Sequence, residues 1–199
     1  MRITLHKEPF SYIISDQFFS EEEYNDVWLE LQVLNKMMKS PQETQAAVEN
    51  GVYKKRGTGI FLHQVFMNLK ETALFRATRK ISNVYQDFVK QDYNLNGMYR
   101  WCNTSHIMVQ LYVNGDFYKS HWDNPILTHI TVMHSNPKKY GGGGLFFPEF
   151  NHHVELENNQ SILFPSFIVH EVKQVMMNSE DPYHGRYSIT NFMTYVDPI

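Results

Sequence analysis

The spacing of apolar residues predicts two helices in the first half of the chain. Over residues 21–38 apolar side chains recur every three or four positions, and Ser20 with Glu23 has the spacing of a capping box. Residues 69–92 show the same period, which predicts a second long helix whose apolar face belongs to the core. The segment "FSYIISDQF" (10–18) predicts a short strand, and the polar residues 40–59 predict a mobile loop.

The pattern changes after residue 100 to short aromatic and β-branched runs separated by turn residues. About eight such runs, from "HIMVQLYV" (106–113) to "YSITNFMTYV" (187–196), predict an antiparallel sandwich or barrel. The expected fold class is therefore mostly β with supporting α-helices and a double-stranded β-helix, or jelly-roll, core. With no linker in between, residues 1–199 are expected to form a single domain, with helical support over about 1–100 and the core over about 101–199.

Composition narrows the class of protein. The chain has 199 residues, 42% of them hydrophobic, and a formal net charge of -3. This near-neutral charge argues against a nucleic-acid-binding protein that relies on phosphate contacts. The single cysteine cannot form an internal disulfide, and no signal peptide or long apolar span is recognisable. We therefore expect a cytoplasmic protein with no membrane segment.

Pairs of the form His-x-acid are the candidate metal ligands in this chain. With 10 histidines and 21 acidic residues, about one such pair is expected by chance, and there are three. His6-x-Glu8 precedes Pro9 near the chain start, and His153-x-Glu155 lies in a polar hairpin, so solvent exposure explains both. The spacing alone therefore does not identify a metal site.

The third pair, His121-x-Asp123, has a different context. It lies between apolar strands, and residues i and i+2 of a strand point to the same face. A third ligand must then come from a distant strand, and His170 follows the apolar run "SILFPSFIV". An Asp and an Arg inside a jelly roll are costly unless something pairs with them, and Arg186 begins a later strand.

The order of these residues resembles one enzyme family. The series Tyr112-x-x-Gly115-x-x-Tyr118-x-x-His121-x-Asp123, then "GGGLFFP" (142–148), His170 and "GRYSIT" (185–190), resembles the prolyl 4-hydroxylase branch of the iron(II)/2-oxoglutarate dioxygenases. The stretches "HWDNP" and "ITVMHSN" are also similar to the oxygen-sensing prolyl hydroxylases. The resemblance covers about residues 106–195.

The resemblance implies roles for individual residues. His121, Asp123 and His170 would be the iron(II) ligands, a two-histidine, one-carboxylate set that leaves positions open for other ligands. Arg186 would bind the distal carboxylate of 2-oxoglutarate, for which the planar guanidinium is well suited. Tyr112 would hydrogen-bond the same co-substrate near the metal.

Two further positions would face the co-substrate. Thr190, four residues after Arg186, would point into the same region. His134 lies where the oxygen-sensing enzymes carry a tyrosine, and it is expected to contact 2-oxoglutarate. Phe192 stands where a tryptophan is common. The implied cofactors are Fe(II), 2-oxoglutarate and O2, with ascorbate as a reductant.

The implied activity is hydroxylation of a proline residue in a peptide or protein, with succinate and CO2 as co-products. The partner would be a proline-containing peptide or protein, and the loop 40–59 could close over it. Two alternatives stay open: the same chemistry on another side chain or a free amino acid, and a jelly-roll binding module without turnover. The sequence does not decide the oligomeric state.

Overall fold

The computed structural model describes residues 1–179 and 181–197. In this part of the chain, strands dominate after residue 100 and helices cluster before it, as the residue pattern predicts. The strands are β1 (Arg2–His6), β2 (Tyr12–Asp16), β3 (Val48–Glu49), β4 (Val52–Tyr53), β5 (Lys55–Arg56), β6 (Thr58–Phe61), β7 (Thr104–Tyr112), β8 (Phe117–His121), β9 (Leu127–Met133), β10 (Tyr140–Gly142), β11 (Leu145–Phe147), β12 (His152–Val154), β13 (Gln160–Pro165), β14 (His170–Val172), β15 (Val175–Met177) and β16 (Arg186–Thr194). The helices are α1 (Glu21–Leu34), α2 (Ala73–Thr78), α3 (Ile81–Val84), α4 (Gln86–Val89) and α5 (Tyr93–Trp101).

Two antiparallel sheets form the jelly roll. The larger has the order β1-β2-β13-β9-β16-β7-β6, and the smaller has the order β12-β11-β14-β8-β5. Strand β16 lies between β7 and β9 over its whole length, with Arg186 opposite Tyr112. Four strands from the first 100 residues, β1, β2, β5 and β6, extend these sheets. The mostly β fold with a double-stranded β-helix core is confirmed, while the single-domain organisation stays a prediction.

Apolar side chains form two cores, one on each face of the larger sheet. Between the sheets, Ile130, Val132, Phe147 and Phe164 belong to one cluster. On the outer face, residues of α1 to α5 pack against the outward side chains of β2, β7 and β16. Because side chains alternate along a strand, one face of β16 supports the helices and the other faces the space between the sheets. The helices thus hold the larger sheet in place behind the site.

The first predicted helix is confirmed, and the second is wrong as a continuous element. Helix α1 begins after Ser20, which forms the expected capping box with Glu23, and continues as a 3-10 turn over Asn35–Met37. Residues 69–92 instead form a 3-10 turn and the short helices α2, α3 and α4. The buried positions keep the predicted spacing, but the spacing reports which face is buried and not whether the backbone is continuous. Helix α5, which Asp92 caps, was not predicted.

The stretch 40–59 is more ordered than the predicted loop. Strands β3 and β4 form a short hairpin, and β5 pairs with β8 at the edge of the smaller sheet. The hydroxyl of Tyr118 on β8 accepts a hydrogen bond from the Ala47 amide (3.1 Å), which ties residue 47 to the same sheet. In the described residues, no helix is both long and apolar enough to cross a membrane.

Candidate metal and co-substrate site

Three predicted ligands come together between β8 and β14. His121 ends β8 and His170 begins β14, and the two residues are direct cross-strand partners. Asp123 follows two residues after His121, and its two carboxylate oxygens lie 3.7 Å from His121 Nε2 and 3.5 Å from His170 Nε2. The candidate ligand atoms of all three residues lie within 4.8 Å of one another. Sheet pairing therefore builds the cluster that the sequence spacing predicts.

Backbone carbonyl groups orient both imidazoles. His121 Nδ1 is 2.9 Å from the carbonyl oxygen of Lys119, and His170 Nδ1 is 2.9 Å from that of Ile168. A carbonyl oxygen can only accept, so each Nδ1 carries the proton and each Nε2 presents a lone pair. Such an outer contact fixes the tautomer and the ring orientation of a metal-binding histidine. Both lone pairs are directed toward the Asp123 carboxylate.

A threonine holds the carboxylate of Asp123. Thr128 on β9 donates from Oγ1 to Asp123 Oδ2 (2.7 Å), and Thr128 Oγ1 is also 2.8 Å from Ser166 Oγ. The Asp123 amide donates to the Ser166 carbonyl oxygen (2.9 Å). Both Thr128 and Ser166 are fully buried. The carboxylate is therefore preorganised by the backbone and by a buried hydroxyl pair.

The surroundings keep His121 neutral. Burial, and next the nearby His170, lower the pKa of His121 to about 3. Neutral imidazole is the form that binds a metal. Two imidazoles and one carboxylate on one side of a cavity are the facial donor set of a non-haem iron(II) site, with positions left for other ligands. The donor set and its orientation therefore fit iron(II).

Arg186 is a buried cation without a carboxylate partner in the described part of the chain. Its side chain is only 2% exposed, and it donates to the Ser188 hydroxyl two residues along β16. The guanidinium carbon lies 5.6 Å from the centre of the Tyr112 ring. A guanidinium group has five donors, and burial without an anion is costly. An acid group such as the distal carboxylate of 2-oxoglutarate fits this position.

The glycine run at 141–144 makes room for that arginine. Gly143 has φ of +76°, and a Cβ added there would lie 2.7 Å from Cδ of Arg186. This position therefore needs glycine for both its conformation and the close approach. The "GGGLFFP" stretch therefore supports the side chain of Arg186.

Tyr112 and Thr190 lie on neighbouring strands on the inner face of the larger sheet. Tyr112 is buried and donates to Gln110 Oε1 (2.6 Å), and Gln110 Nε2 donates to Thr190 Oγ1 (3.3 Å). Burial raises the pKa of Tyr112, so its hydroxyl stays protonated. Both residues line a cavity of about 600 Å³ that also contacts the three candidate ligands. The structure therefore places them beside the cluster as expected.

His134 is buried near Arg186 and Tyr140. Its Nδ1 is 2.8 Å from the Ser135 carbonyl oxygen, and its Nε2 has no hydrogen-bond partner among the described residues. Its ring and that of Tyr140 meet edge to face, with centroids 5.5 Å apart. Burial, and more weakly the Arg186 charge, lower the pKa of His134. Neither His134 nor Arg186 lines the 600 Å³ cavity itself.

Four residues of the site escape the sequence reasoning. Gln110 and Ser188 lie two positions from Tyr112 and Arg186, so strand alternation could have indicated them. Thr128 contacts Asp123 only after β9 folds beside it, and no local signal marks it. Lys55 lines the cavity although it belongs to the basic run Lys54-Lys55-Arg56, and such runs are usually exposed to solvent.

These observations define a class of protein: a double-stranded β-helix domain around a cluster of two histidines and one aspartate, with a buried arginine beside it. Comparison with known proteins then gives the family. Residues 107–194 match the model of the 2OG-Fe(II) oxygenase superfamily. This part of the chain carries the sequence pattern of that superfamily, and the chain has a prolyl 4-hydroxylase-like fold. Its cofactors are iron(II) and 2-oxoglutarate, with dioxygen as co-substrate.

Solved structures share this fold at low sequence identity. A Pseudomonas putida prolyl-4-hydroxylase has a TM-score of 0.61 and 16% identity, over 94% of this chain and 93% of that chain. The viral collagen prolyl hydroxylase vCPH from Paramecium Bursaria Chlorella virus-1 has a TM-score of 0.57 and 14% identity, over 93% and 96%. The non-heme alpha ketoglutarate dependent epimerase SnoN from nogalamycin biosynthesis has a TM-score of 0.53 and 13% identity, over 92% and 77%. A comparison with curated proteins gave no match.

Proposed function

We propose that the protein is an iron(II)- and 2-oxoglutarate-dependent hydroxylase that acts on a proline residue of a peptide or protein. The observation that carries the oxygenase part is the convergence of His121, Asp123 and His170 beside a buried Arg186, which has no carboxylate partner among the described residues. The proline part rests on similarity to prolyl hydroxylases of the same fold and on the resemblance of the "HWDNP" stretch. Succinate and CO2 would be the co-products, and ascorbate would serve as reductant.

In this proposal the three clustered side chains hold iron(II), and Arg186 binds the distal carboxylate of 2-oxoglutarate. Tyr112, Thr190 and His134 position the co-substrate between them. His134 Nε2 has no hydrogen-bond partner among the described residues, and it would donate to the bound carboxylate as an imidazolium, because Nδ1 already donates to the Ser135 carbonyl oxygen. The Ser188 hydroxyl keeps the guanidinium in place before the co-substrate arrives.

When bound, iron(II) would catalyse the oxidation of a substrate C–H bond by dioxygen. One oxygen atom would enter the substrate, and the other would enter succinate as 2-oxoglutarate loses CO2. The chain itself orients the reactants and keeps water out. Its buried walls include Tyr112, Ile130 and Val172. No side chain is required as a general base, and we assign none.

The open side of the cavity suits an extended substrate. Residues 44–48 and the half-exposed rim around Trp122 and Phe61 surround the cavity. Ala47 is tied to Tyr118, whose ring stacks on His121 with centroids 3.5 Å apart. A shift of residues 44–48 would therefore move the Tyr118 ring, which contacts the candidate metal ligand His121. We propose that this segment covers the substrate in the cytoplasm-located enzyme.

The direct test is succinate formation from 2-oxoglutarate by iron-loaded protein with a panel of proline-containing peptides. A productive peptide should gain the mass of one oxygen atom, and its hydroxyproline should be located by fragmentation. His121→Ala should abolish both signals. His153→Ala is the matched control, because His153 belongs to an exposed His-x-acid pair and should retain activity.

The remaining results separate the alternatives. Oxygen incorporation at a residue other than proline would keep the oxygenase and replace the substrate. Wild-type protein that binds iron and 2-oxoglutarate but forms no succinate with any peptide or amino acid would favour a binding module. Equal turnover by His121→Ala and wild type would remove the metal assignment.

A further inference from the structure

A second buried cation lies beside the site. Lys55 on β5 is 3% exposed and lines the same cavity as His121, Asp123 and Tyr112. Its ammonium lies 5.8 Å from the centre of the Tyr112 ring and 5.9 Å from that of Tyr118. Tyr118 in turn stacks on His121. A single aromatic ring therefore separates this lysine from a candidate metal ligand.

The Lys55 ammonium has no anionic partner in the described part of the chain. Its Nζ makes no hydrogen bond with any described residue. The neighbouring carboxylate, Asp116, is engaged by Arg56 Nε at 3.3 Å and by the Val113 amide at 3.0 Å. Lys54 differs, because its Nζ donates to the Ser120 carbonyl oxygen (2.9 Å) and lies 3.6 Å from Glu49. Of these two adjacent lysines, Lys55 is the unpaired one.

Lys55 and Arg186 lie on opposite sides of strand β7. Arg186 is on β16, on one side of β7, while β6 is the neighbour on the other side. The Lys55 ammonium lies at the β6 side, 3.2 Å from where a Cβ on Gly59 would be. Arg186 is outside the cavity lining and Lys55 is part of it. Both cations lie beside the Tyr112 ring, but an anion bound in the cavity would meet Lys55 and not Arg186.

We propose that Lys55 binds a carboxylate of the primary substrate. The proposal rests on the oxygenase function proposed above and specifies its substrate class. A buried ammonium costs free energy unless an anion accompanies it, and Lys55 lines the cavity that also contacts the three candidate metal ligands. The substrate would pair with Lys55 as it enters and would lose the pairing as it leaves.

The same burial also affects the protonation of Lys55. It lowers the pKa of Lys55 to about 7, against the opposing effect of the Asp116 charge. An incoming carboxylate favours the charged amine and reverses that effect. The carboxylate can belong to a free amino acid or to an Asp or Glu side chain next to the target residue of a peptide.

The experiment uses matched pairs of compounds that differ only in that group. The first arm compares free L-amino acids, including L-proline, with their primary amides. The second compares proline peptides carrying Asp or Glu beside the proline with the same peptides carrying Asn or Gln. Succinate formation is measured on iron-loaded protein, and binding is followed separately by the fluorescence of Trp122, which lines the cavity. Faster succinate formation with the free amino acids than with their amides would identify a free amino acid as the source of the carboxylate. Faster formation with the Asp or Glu peptides than with the Asn or Gln peptides would identify an acidic side chain.

The variants are Lys55→Met and Lys55→Arg, with Lys70→Met as control because Lys70 is exposed and does not line the cavity. For the acid that stimulates wild type, Lys55→Met should raise KM and weaken the fluorescence-detected binding at least about tenfold. Lys55→Arg should recover part of this loss. The KM for 2-oxoglutarate should not change in either variant, nor should any value change in Lys70→Met.

Each outcome bears on the proposal. Equal stimulation by acids and amides, stimulation by no acid, or a Lys55→Met effect on 2-oxoglutarate alone would overturn it. The last result would instead assign Lys55 to the co-substrate. Binding of iron and 2-oxoglutarate to wild-type protein is measured separately by calorimetry before the acids are added. If wild type binds neither, the proposed oxygenase function itself is wrong.

Discussion

The two sides of strand β7 hold cations in contrasting ways. On the β16 side, Arg186 donates to Ser188 and its chain is fitted against Gly143. On the β6 side, Lys55 has no hydrogen-bond partner in the described residues, although it is equally buried. A planar guanidinium on a fixed support suits one unchanging carboxylate, whereas a flexible ammonium adapts to varied anions. With the roles proposed above, the co-substrate wall around Arg186 is prebuilt and the substrate wall around Lys55 is completed by its ligand.

The largest loss of activity should come from substitutions in the cluster of His121, Asp123 and His170, which lies beside both walls. Asp123→Ala removes the only carboxylate of the cluster, and we expect iron binding to be lost and succinate formation to fall by about 100-fold or more, since even outer contacts of a metal site change affinity by about 10–100-fold. Iron content per chain and succinate formation are the measurements.

A matched control for this variant is Glu155→Ala, since Glu155 is the exposed acid of another His-x-acid pair. It should keep iron and turnover. Full iron occupancy in Asp123→Ala would contradict the ligand assignment.

Arg186→Ala tests the prebuilt wall. Removing one partner of a buried charge pair costs about 2–5 kcal/mol, so the KM for 2-oxoglutarate should rise by about 30-fold or more while iron content stays the same. Arg186→Lys keeps the positive charge but lacks the planar guanidinium, so its KM for 2-oxoglutarate should lie between those of wild type and Arg186→Ala. If both variants bind 2-oxoglutarate as wild type does, another residue holds the distal carboxylate.

Lys55→Met tests the other wall through stability. The pKa of Lys55 is about 7 in the folded protein, against its ordinary value of 10.5. Folding therefore disfavours the charged form, and Met should stabilise the protein by on the order of a few kcal/mol below about pH 7. The gain should shrink as pH rises from about 7 to 10.5, where the unfolded lysine also loses its proton.

Thermal unfolding across that pH range, without substrate, is the measurement. The neighbouring Asp116, His121, Tyr112 and Tyr118 are the same in both proteins, so they largely cancel in the difference. A variant that melts below wild type at neutral pH would show that the ammonium has a stabilising partner.

The smallest effect concerns the support of Asp123. Thr128→Val removes the hydroxyl that donates to Asp123 and should weaken iron binding about tenfold. Thr131→Val is its control. Thr131 lies on β9 like Thr128 but points to the opposite face, and its hydroxyl forms a similar buried pair with that of Ser161 on β13 (2.8 Å). Equal iron affinity in the two variants would show that Thr128 does not position the carboxylate.

Strand alternation led us to predict that His121 and Asp123 share a face, and the apolar run before His170 predicted a strand that returns to them. The three residues do meet, but β8 ends at His121 and the Asp123 amide is held by the Ser166 carbonyl oxygen instead. The aromatic and β-branched runs predicted the strands that carry Tyr112 and Arg186. The outcome for residues 69–92 differs: apolar spacing there indicated the buried face but could not reveal the breaks between α2, α3 and α4.

Long-range pairing explains what was not predicted. Lys55 enters the site only because β5 pairs with β8, and nothing in the run Lys54-Lys55-Arg56 distinguishes its buried member from its neighbours. Thr128 reaches Asp123 through a turn and the start of β9, where a threonine is ordinary. Residues whose role depends on which strands become neighbours need the structure.

In the proposed enzyme, iron(II) binds to the cluster of His121, Asp123 and His170, and 2-oxoglutarate binds both to this metal and to Arg186. Anaerobic calorimetric titration of 2-oxoglutarate into wild-type protein, with and without iron(II), tests this claim most directly. We predict binding of a single 2-oxoglutarate per chain that requires iron(II), is absent in Asp123→Ala and is weakened in Arg186→Ala. Equal binding without metal, or no binding with it, would contradict the claim.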